Sequence, residues 1–324
     1  MSGASIPYHL RQNKAIDRGL YLDLLSRVGR YRNISDYTYI GFGGPFLEDF
    51  KYVHAATRIS KMISIEIDAN AFKRQKFNKP ISCIDLRHES SGEFISNFEF
   101  DDDYVIWLDY TEPTKVGEQL AELEMLISKI PEGSIFKITL NAHAASLGTP
   151  NDGSDLQKFR SEKAQRLLGD YAPATITRDD VTANAYPRLL LSAAVSAAKK
   201  GIAGRSRCIV QPLTAFTYKD GQSMLTMTGA VIKSIDASAF LASIRIAHWP
   251  FSSLDWSVPL EISVPEMSFK ERMHIESLLP QTDAATIGTT MGYYIGASAT
   301  EAAESLGNFV MYYRLYPWYS RVSL

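Results

Sequence analysis

The sequence predicts a doubly wound α/β domain on a seven-stranded mixed sheet, with a helical N-terminal extension and a C-terminal addition. Three observations carry that expectation. Short apolar runs alternate with helix-spaced segments through the first half of the chain, as parallel strands joined by helices do. A glycine turn, Gly41-Phe42-Gly43-Gly44-Pro45, closes the first apolar run, and an acidic residue closes the second. Further on, two β-prone runs flank Lys219-Asp220-Gly221-Gln222, the pattern of an antiparallel hairpin.

The elements follow in order. Residues 14–28 read as a helix, because Ile16, Leu20, Leu24 and Val28 recur every fourth position. Residues 37–42 form the first strand and 46–56 the helix after it. The run KMISIEI at 61–67 is the second strand, followed by a short helix at 69–76. A brief third strand is expected at 81–84 and a strongly apolar fourth (DYVIWL) at 103–108. An amphipathic helix spans 114–130, stopped by Pro131 and Gly133, and SIFKITL at 134–140 is the fifth strand. Residues 141–155, rich in Gly, Ser, Asn and Pro, read as a loop. Helices are expected at 155–168 and 188–200, and the hairpin strands at 207–218 and 223–232. Beyond about residue 235 strand signals fade. The expected domains are residues 1–34, an extension; 35–235, the α/β domain; and 236–324, a smaller α+β region.

Composition narrows the function. Of 324 residues, 45% are hydrophobic and 22% charged, which excludes disorder as the main state. A net charge of -2 excludes nucleic-acid binding by bulk charge, leaving room only for a local basic patch. Cys83 and Cys208 are too few for a disulfide framework or a cysteine zinc site. His9, His54, His248 and His274 show no metal-ligand spacing, so no metal is expected. No apolar run is long enough to cross a bilayer and residues 1–11 hold no leader-type stretch, so no membrane association and a cytoplasmic location are expected.

Ligands of open parallel sheets bind outside the carboxyl ends of the strands. Glycines after the first strand let the backbone turn tightly and approach a ligand. Glu66 ends the second strand roughly 20 residues on, where a carboxylate can accept from both ribose hydroxyls of an adenosine. Asp68 suits the N-cap of the next helix. Asp85 ends the expected third strand, with His88 and Glu89 beyond it at the rim. Asp109 ends the fourth and opens Asp109-Tyr110-Thr111-Glu112-Pro113; it reads equally as the cap of the following helix. His143 follows the fifth strand on the same edge, where it can serve as a general base. A dinucleotide site fits less well, because Phe46 stands where G-x-G-x-x-G has its third glycine.

In this order the residues resemble the class I S-adenosylmethionine-dependent methyltransferases over about residues 35 to 235. The segment Ile63-Ser64-Ile65-Glu66-Ile67-Asp68 is the most specific match, and the hairpin is similar to the last two strands of that fold. The resemblance implies S-adenosylmethionine as cofactor. It implies that Gly41, Phe42, Gly43 and Gly44 contact the amino-acid part, that Glu66 with Ile67 beside it holds the ribose, and that Asp85 meets the adenine. Tyr39 departs from the pattern, standing where the family usually has an acid; Glu48 and Asp49 are nearby substitutes. Asp109 would orient or deprotonate the acceptor, Tyr110 would shape the pocket, and His143 is a second candidate base. Arg11 and Lys14 are candidate contacts for an anionic substrate.

The expected function is O-methyl transfer to an acceptor, small or macromolecular, that the sequence leaves open. Asp109-Tyr110 is not the nucleic-acid amino-methyltransferase motif. Two other readings stay open: a catalytically inactive methyltransferase-like scaffold in a larger complex, and an RNA-directed methyltransferase. The tail at 309–319, with Tyr312, Tyr313, Arg314, Tyr316, Trp318 and Tyr319, reads as a surface for a second copy or a protein partner.

Overall fold

The computed structural model describes residues 11–317. They fall into two compact units. The larger comprises Leu22–Thr217 and Gln222–Leu260; the smaller is assembled from residues 11–21, Tyr218–Gly221 and residues 261–317.

In the larger unit strands and helices alternate. β1 (Thr38–Gly41), α2 (Glu48–Thr57), β2 (Lys61–Ile65), α3 (Ala69–Asn78), β3 (Ile84–Arg87), α4 (Ser91–Asn97) and β4 (Tyr104–Asp109) follow α1 (Gln12–Val28). Then come α5 (Val116–Lys129), β5 (Ile135–Asn141), α6 (Leu156–Leu168), α7 (Tyr186–Ile202), β6 (Cys208–Asp220), β7 (Gln222–Lys233) and α8 (Ala237–Ile244). β8 (Leu260–Ile262), α9 (Phe269–Leu278), α10 (Ala284–Met291) and α11 (Ala299–Tyr312) complete the order.

The sheet runs β3-β2-β1-β4-β5-β7-β6-β8. The first five strands are parallel, and β7 pairs antiparallel with β5, from Ile135 opposite Ala230 to Asn141 opposite Met224. Eight strands stand where seven were expected. The added strand, β8, has three residues, too few for a hydrophobic period to register.

Alternation along the central strands sorts the core. Ile40, Ile106, Leu108, Phe136, Ile138 and Leu140 are buried together with α5 and α7, through Leu120, Leu123, Leu190 and Ala194. Tyr39 points to the other face, where its ring meets Phe50 of α2 edge-on at 4.9 Å. Helices thus cover both faces, as a parallel sheet requires. The strand order reverses at β1, with β2 and β3 on one side and β4 and β5 on the other. That reversal places the crevice at the carboxyl ends of β1 and β4.

α4 was not expected, although Ser90 and Glu93 form a complete capping box at its start. β3 begins at Ile84, where 81–84 was expected.

Candidate active site

β1 ends at Gly41, which lies level with Ser64 of β2 and Trp107 of β4. Two residues beyond that row stand Gly43, Glu66 and Asp109 on adjacent chain segments. The two carboxylates therefore flank the glycine turn, with backbones about 10 Å apart across two strand spacings.

The turn is fixed by packing. A Cβ at Gly43 would stand 2.2 Å from Leu47 Cδ2 and 2.7 Å from Ser64 Oγ, so no other residue fits without displacing them. Gly44 adopts a left-handed φ of 49° with open space where a side chain would be. α3 staples the turn from below. Gln75, wholly buried, donates to the Gly44 carbonyl at 2.9 Å, and Asn78 donates to Pro45 at 2.8 Å. Ser64 in turn donates to Gln75 at 3.3 Å. Neither amide side chain was foreseen, because a polar residue within a basic helix carries no sequence signal of its target.

Glu66 continues β2 by donating its N–H to the Arg87 carbonyl at 3.0 Å. Its Oε1 accepts the Asp68 N–H at 2.8 Å, and Asp68 caps α3 by accepting from Ala71 at 2.7 Å. Partial burial pushes the Glu66 carboxyl above its ordinary range; the Asp68 N–H and the nearby His88 pull it partly back. Ile67 is 69% exposed. No arginine pins the Glu66 carboxylate among the described residues. Phe42 does not plug the turn either, because its ring packs edge-on against Tyr110 at 5.3 Å. A half-buried carboxylate beside an open glycine turn is a donor set that fits the adenosine end of S-adenosylmethionine.

Asp109 is half-buried at the end of β4, opposite Thr139 of β5. The next residue, Tyr110, donates its N–H to the Thr139 carbonyl at 3.1 Å and its hydroxyl to Glu122 of α5 in a short bond. Burial, with the Glu122 charge, raises the Tyr110 hydroxyl pKa far above its ordinary value. Its hydroxyl is committed to α5, and its ring supports Phe42. Asn141, at the end of β5, donates to the Thr111 carbonyl at 3.1 Å and to Gln222 at 2.7 Å, and accepts from the His143 N–H at 3.1 Å. One buried amide thus gathers the exits of β4 and β5 and the start of β7. His143 sits half-buried beside it, ahead of the 3-10 turn Ala144–Leu147.

Gly41, Phe42, Gly43, Gly44, Glu66, Ile67, Asp109, Tyr110 and His143 thus lie on one edge of the sheet. Asp85 does not join them. β3 starts later than expected, so Asp85 lies level with Ile63, within the strand, and pairs with Arg87 at 2.7 Å. It lines a cavity of about 510 Å³ at the opposite edge, with Thr38, Lys61, Asp101 and Asp102. The residue leaving β3 beside Glu66 is His88, whose ring stacks on Phe72 at 4.7 Å.

Arg11 and Lys14 belong to the smaller unit. The Lys14 side chain is only 3% exposed, and its N–H is held by Asp220 at 2.7 Å. In the aromatic tail, Tyr312 is buried and donates to the Glu261 carbonyl at 3.2 Å, and Tyr316 packs on Phe309 and under Arg272. Trp318 and Tyr319 lie outside the described residues. Among the described residues no group of His, Cys, Asp and Glu side chains is placed to hold a metal ion, and no helix is long and apolar enough to cross a membrane.

A family profile described as "Putative O-methyltransferase" matches residues 6–324, nearly the whole chain. The chain belongs to this family. The chemistry by which the family is described is O-methyl transfer. Among solved structures the chain is similar to Trm1 from Pyrococcus horikoshii in complex with S-adenosyl-L-methionine, at 14% identity and a TM-score of 0.45, over 69% of this chain and 56% of that one. It is also similar to the N-methyltransferase NodS from Bradyrhizobium japonicum WM9, at 9% identity and a TM-score of 0.39, over 67% of this chain and 97% of the other. The match to a chain of a fibrillarin/Nop5p complex spans 62% of that chain, at 11% identity and a TM-score of 0.29. A search of curated proteins found no match.

Proposed function

We propose that this family member transfers methyl to a hydroxyl oxygen of its acceptor, and that Asp109 receives the proton. The observation that carries the reading is the position of Asp109: half-buried, at the end of β4, across the glycine turn from Glu66. S-adenosylmethionine supplies an electrophilic methyl carbon on a sulfonium. Glu66 would hold the ribose hydroxyls, and the backbone of Gly41 to Gly44 would lie against the amino-acid end. When bound, the cofactor would give its methyl group to the acceptor oxygen and leave as the neutral thioether. The acceptor proton passes to Asp109, or to His143 on the neighbouring strand exit. Phe42 and Tyr110 wall the space between the two acids. With a sulfonium leaving group the chain's work is alignment and proton removal, not covalent catalysis.

The test is Asp109→Asn. Turnover should fall about 10²- to 10⁴-fold, the usual contribution of a positioned base. Binding of S-adenosylhomocysteine, measured by calorimetry, should be unchanged within about twofold. Unchanged turnover removes Asp109 from the mechanism. If the wild-type chain does not bind S-adenosylhomocysteine, the scaffold reading replaces the enzymatic one.

A further inference from the structure

α3 carries a surface that the methyl-transfer chemistry does not use. From Ala69 to Ile84 the chain has four cations, Lys73, Arg74, Lys76 and Lys79, and no acidic residue, against a net charge of -2 for the whole. Lys73, Lys76 and Phe77 share one face by their three- and four-residue spacing. All three are exposed, and Phe77 is 91% exposed, the most open of the large hydrophobic side chains among the described residues. Toward the glycine turn the same mixture recurs. Phe46 is 45% exposed, with the Arg74 guanidinium 4.9 Å from its ring centroid.

We propose that this face of α3 binds single-stranded RNA. The argument is charge complementarity joined to ring exposure. A lone solvated phenylalanine between lysines buries little area against an apolar partner. It does offer a flat face on which a base can stack while neighbouring cations meet phosphates. An acidic polypeptide would use the cations and leave the Phe77 ring idle. The surface lies on the helix whose Gln75 and Asn78 hold the glycine turn. The inference stands whether or not the bound RNA is the methyl acceptor.

The experiment is fluorescence anisotropy with a labelled single-stranded RNA of mixed sequence, about 20 nucleotides, titrated with the full chain at several salt concentrations. Wild-type affinity should fall linearly in log–log form as salt rises. Lys73→Ala/Lys76→Ala should flatten that slope by about 1.4, roughly 0.7 for each phosphate that is no longer neutralised. Phe77→Ala should weaken binding about tenfold or more and leave the slope unchanged. Calorimetry with S-adenosylhomocysteine on the same variants shows that they are folded and keeps the cofactor site as a separate question. Three outcomes overturn the proposal: no binding at about 50 mM salt, equal binding by wild type and both variants, or polyglutamate binding as tightly as RNA and insensitive to Phe77→Ala.

Discussion

Asp220 and Lys14, 206 residues apart in the chain, are joined by a 2.7 Å bond from the Lys14 N–H to the Asp220 carboxylate. The same carboxylate accepts the Asn13 N–H at 3.2 Å. Two backbone donors in the first turn of α1 are thus capped by a residue at the end of the hairpin. The Asn13 side chain completes the link by donating to the Lys219 carbonyl at 3.0 Å and accepting from Val264 at 3.1 Å. Asp220→Ala should cost about 1–2 kcal/mol, as the loss of a helix cap does, seen as a lower midpoint in urea unfolding. An unchanged midpoint would show that water replaces the cap at no cost.

Glu66→Ala should weaken S-adenosylhomocysteine about 10- to 100-fold, the loss expected when a charged acceptor of ribose hydroxyls is removed. Calorimetry measures it directly, and unchanged affinity would detach Glu66 from the cofactor.

Burial raises the Glu66 pKa in the folded protein, so the native state holds that proton more tightly than the unfolded chain. Between the ordinary value near 4.5 and the raised one, the stability of the unliganded protein from this group falls as pH rises. Cofactor affinity runs the other way, because the ionised form is the better acceptor. Glu66→Gln should therefore raise Tm at neutral pH, flatten the pH slope of stability in that window and still bind cofactor poorly. A lower Tm for this variant would contradict the sign.

Tyr110→Phe removes the hydroxyl that Glu122 accepts while keeping the ring against Phe42. It should cost about 1–3 kcal/mol of stability, as loss of a buried hydrogen bond to a charged group does. Cofactor affinity should change little. A large loss of affinity at unchanged Tm would instead give the hydroxyl a direct part in binding.

Gly43→Ala forces a Cβ against Leu47 and Ser64. Overpacking of that kind costs about 1–3 kcal/mol, and here the strain falls on the cofactor turn, so both Tm and S-adenosylhomocysteine affinity should drop. Wild-type values for both would mean that the turn has room to relax.

The central strands and the site edge were legible because buried parallel strands read as apolar runs and end in residues with few structural uses. β3 was not. It is the edge strand, with Asp85 and Arg87 exposed and Ile84 and Leu86 turned inward, so its signal is alternation, and a search for apolar runs settles on 81–84. That small shift in register carries Asp85 to the wrong edge of the sheet. The capping box of α4 is written plainly in Ser90-Ser91-Gly92-Glu93, but the helix behind it is too short to show a hydrophobic period. The anchoring bonds of Gln75, Asn78, Glu122 and Asn141 could not be read, because each joins residues whose proximity only the fold creates. Lys14 reads in the sequence as a binding cation; what the sequence does not tell is that the residue is buried and that its backbone N–H is held by Asp220 far down the chain.

The smaller unit draws on both ends of the described chain and on the four residues Tyr218–Gly221 between them. During synthesis the ribosome releases its first segment long before its last, so that unit closes only when nearly the whole polypeptide has emerged. A messenger cut short after about residue 260 would leave α1 waiting for neighbours that never arrive.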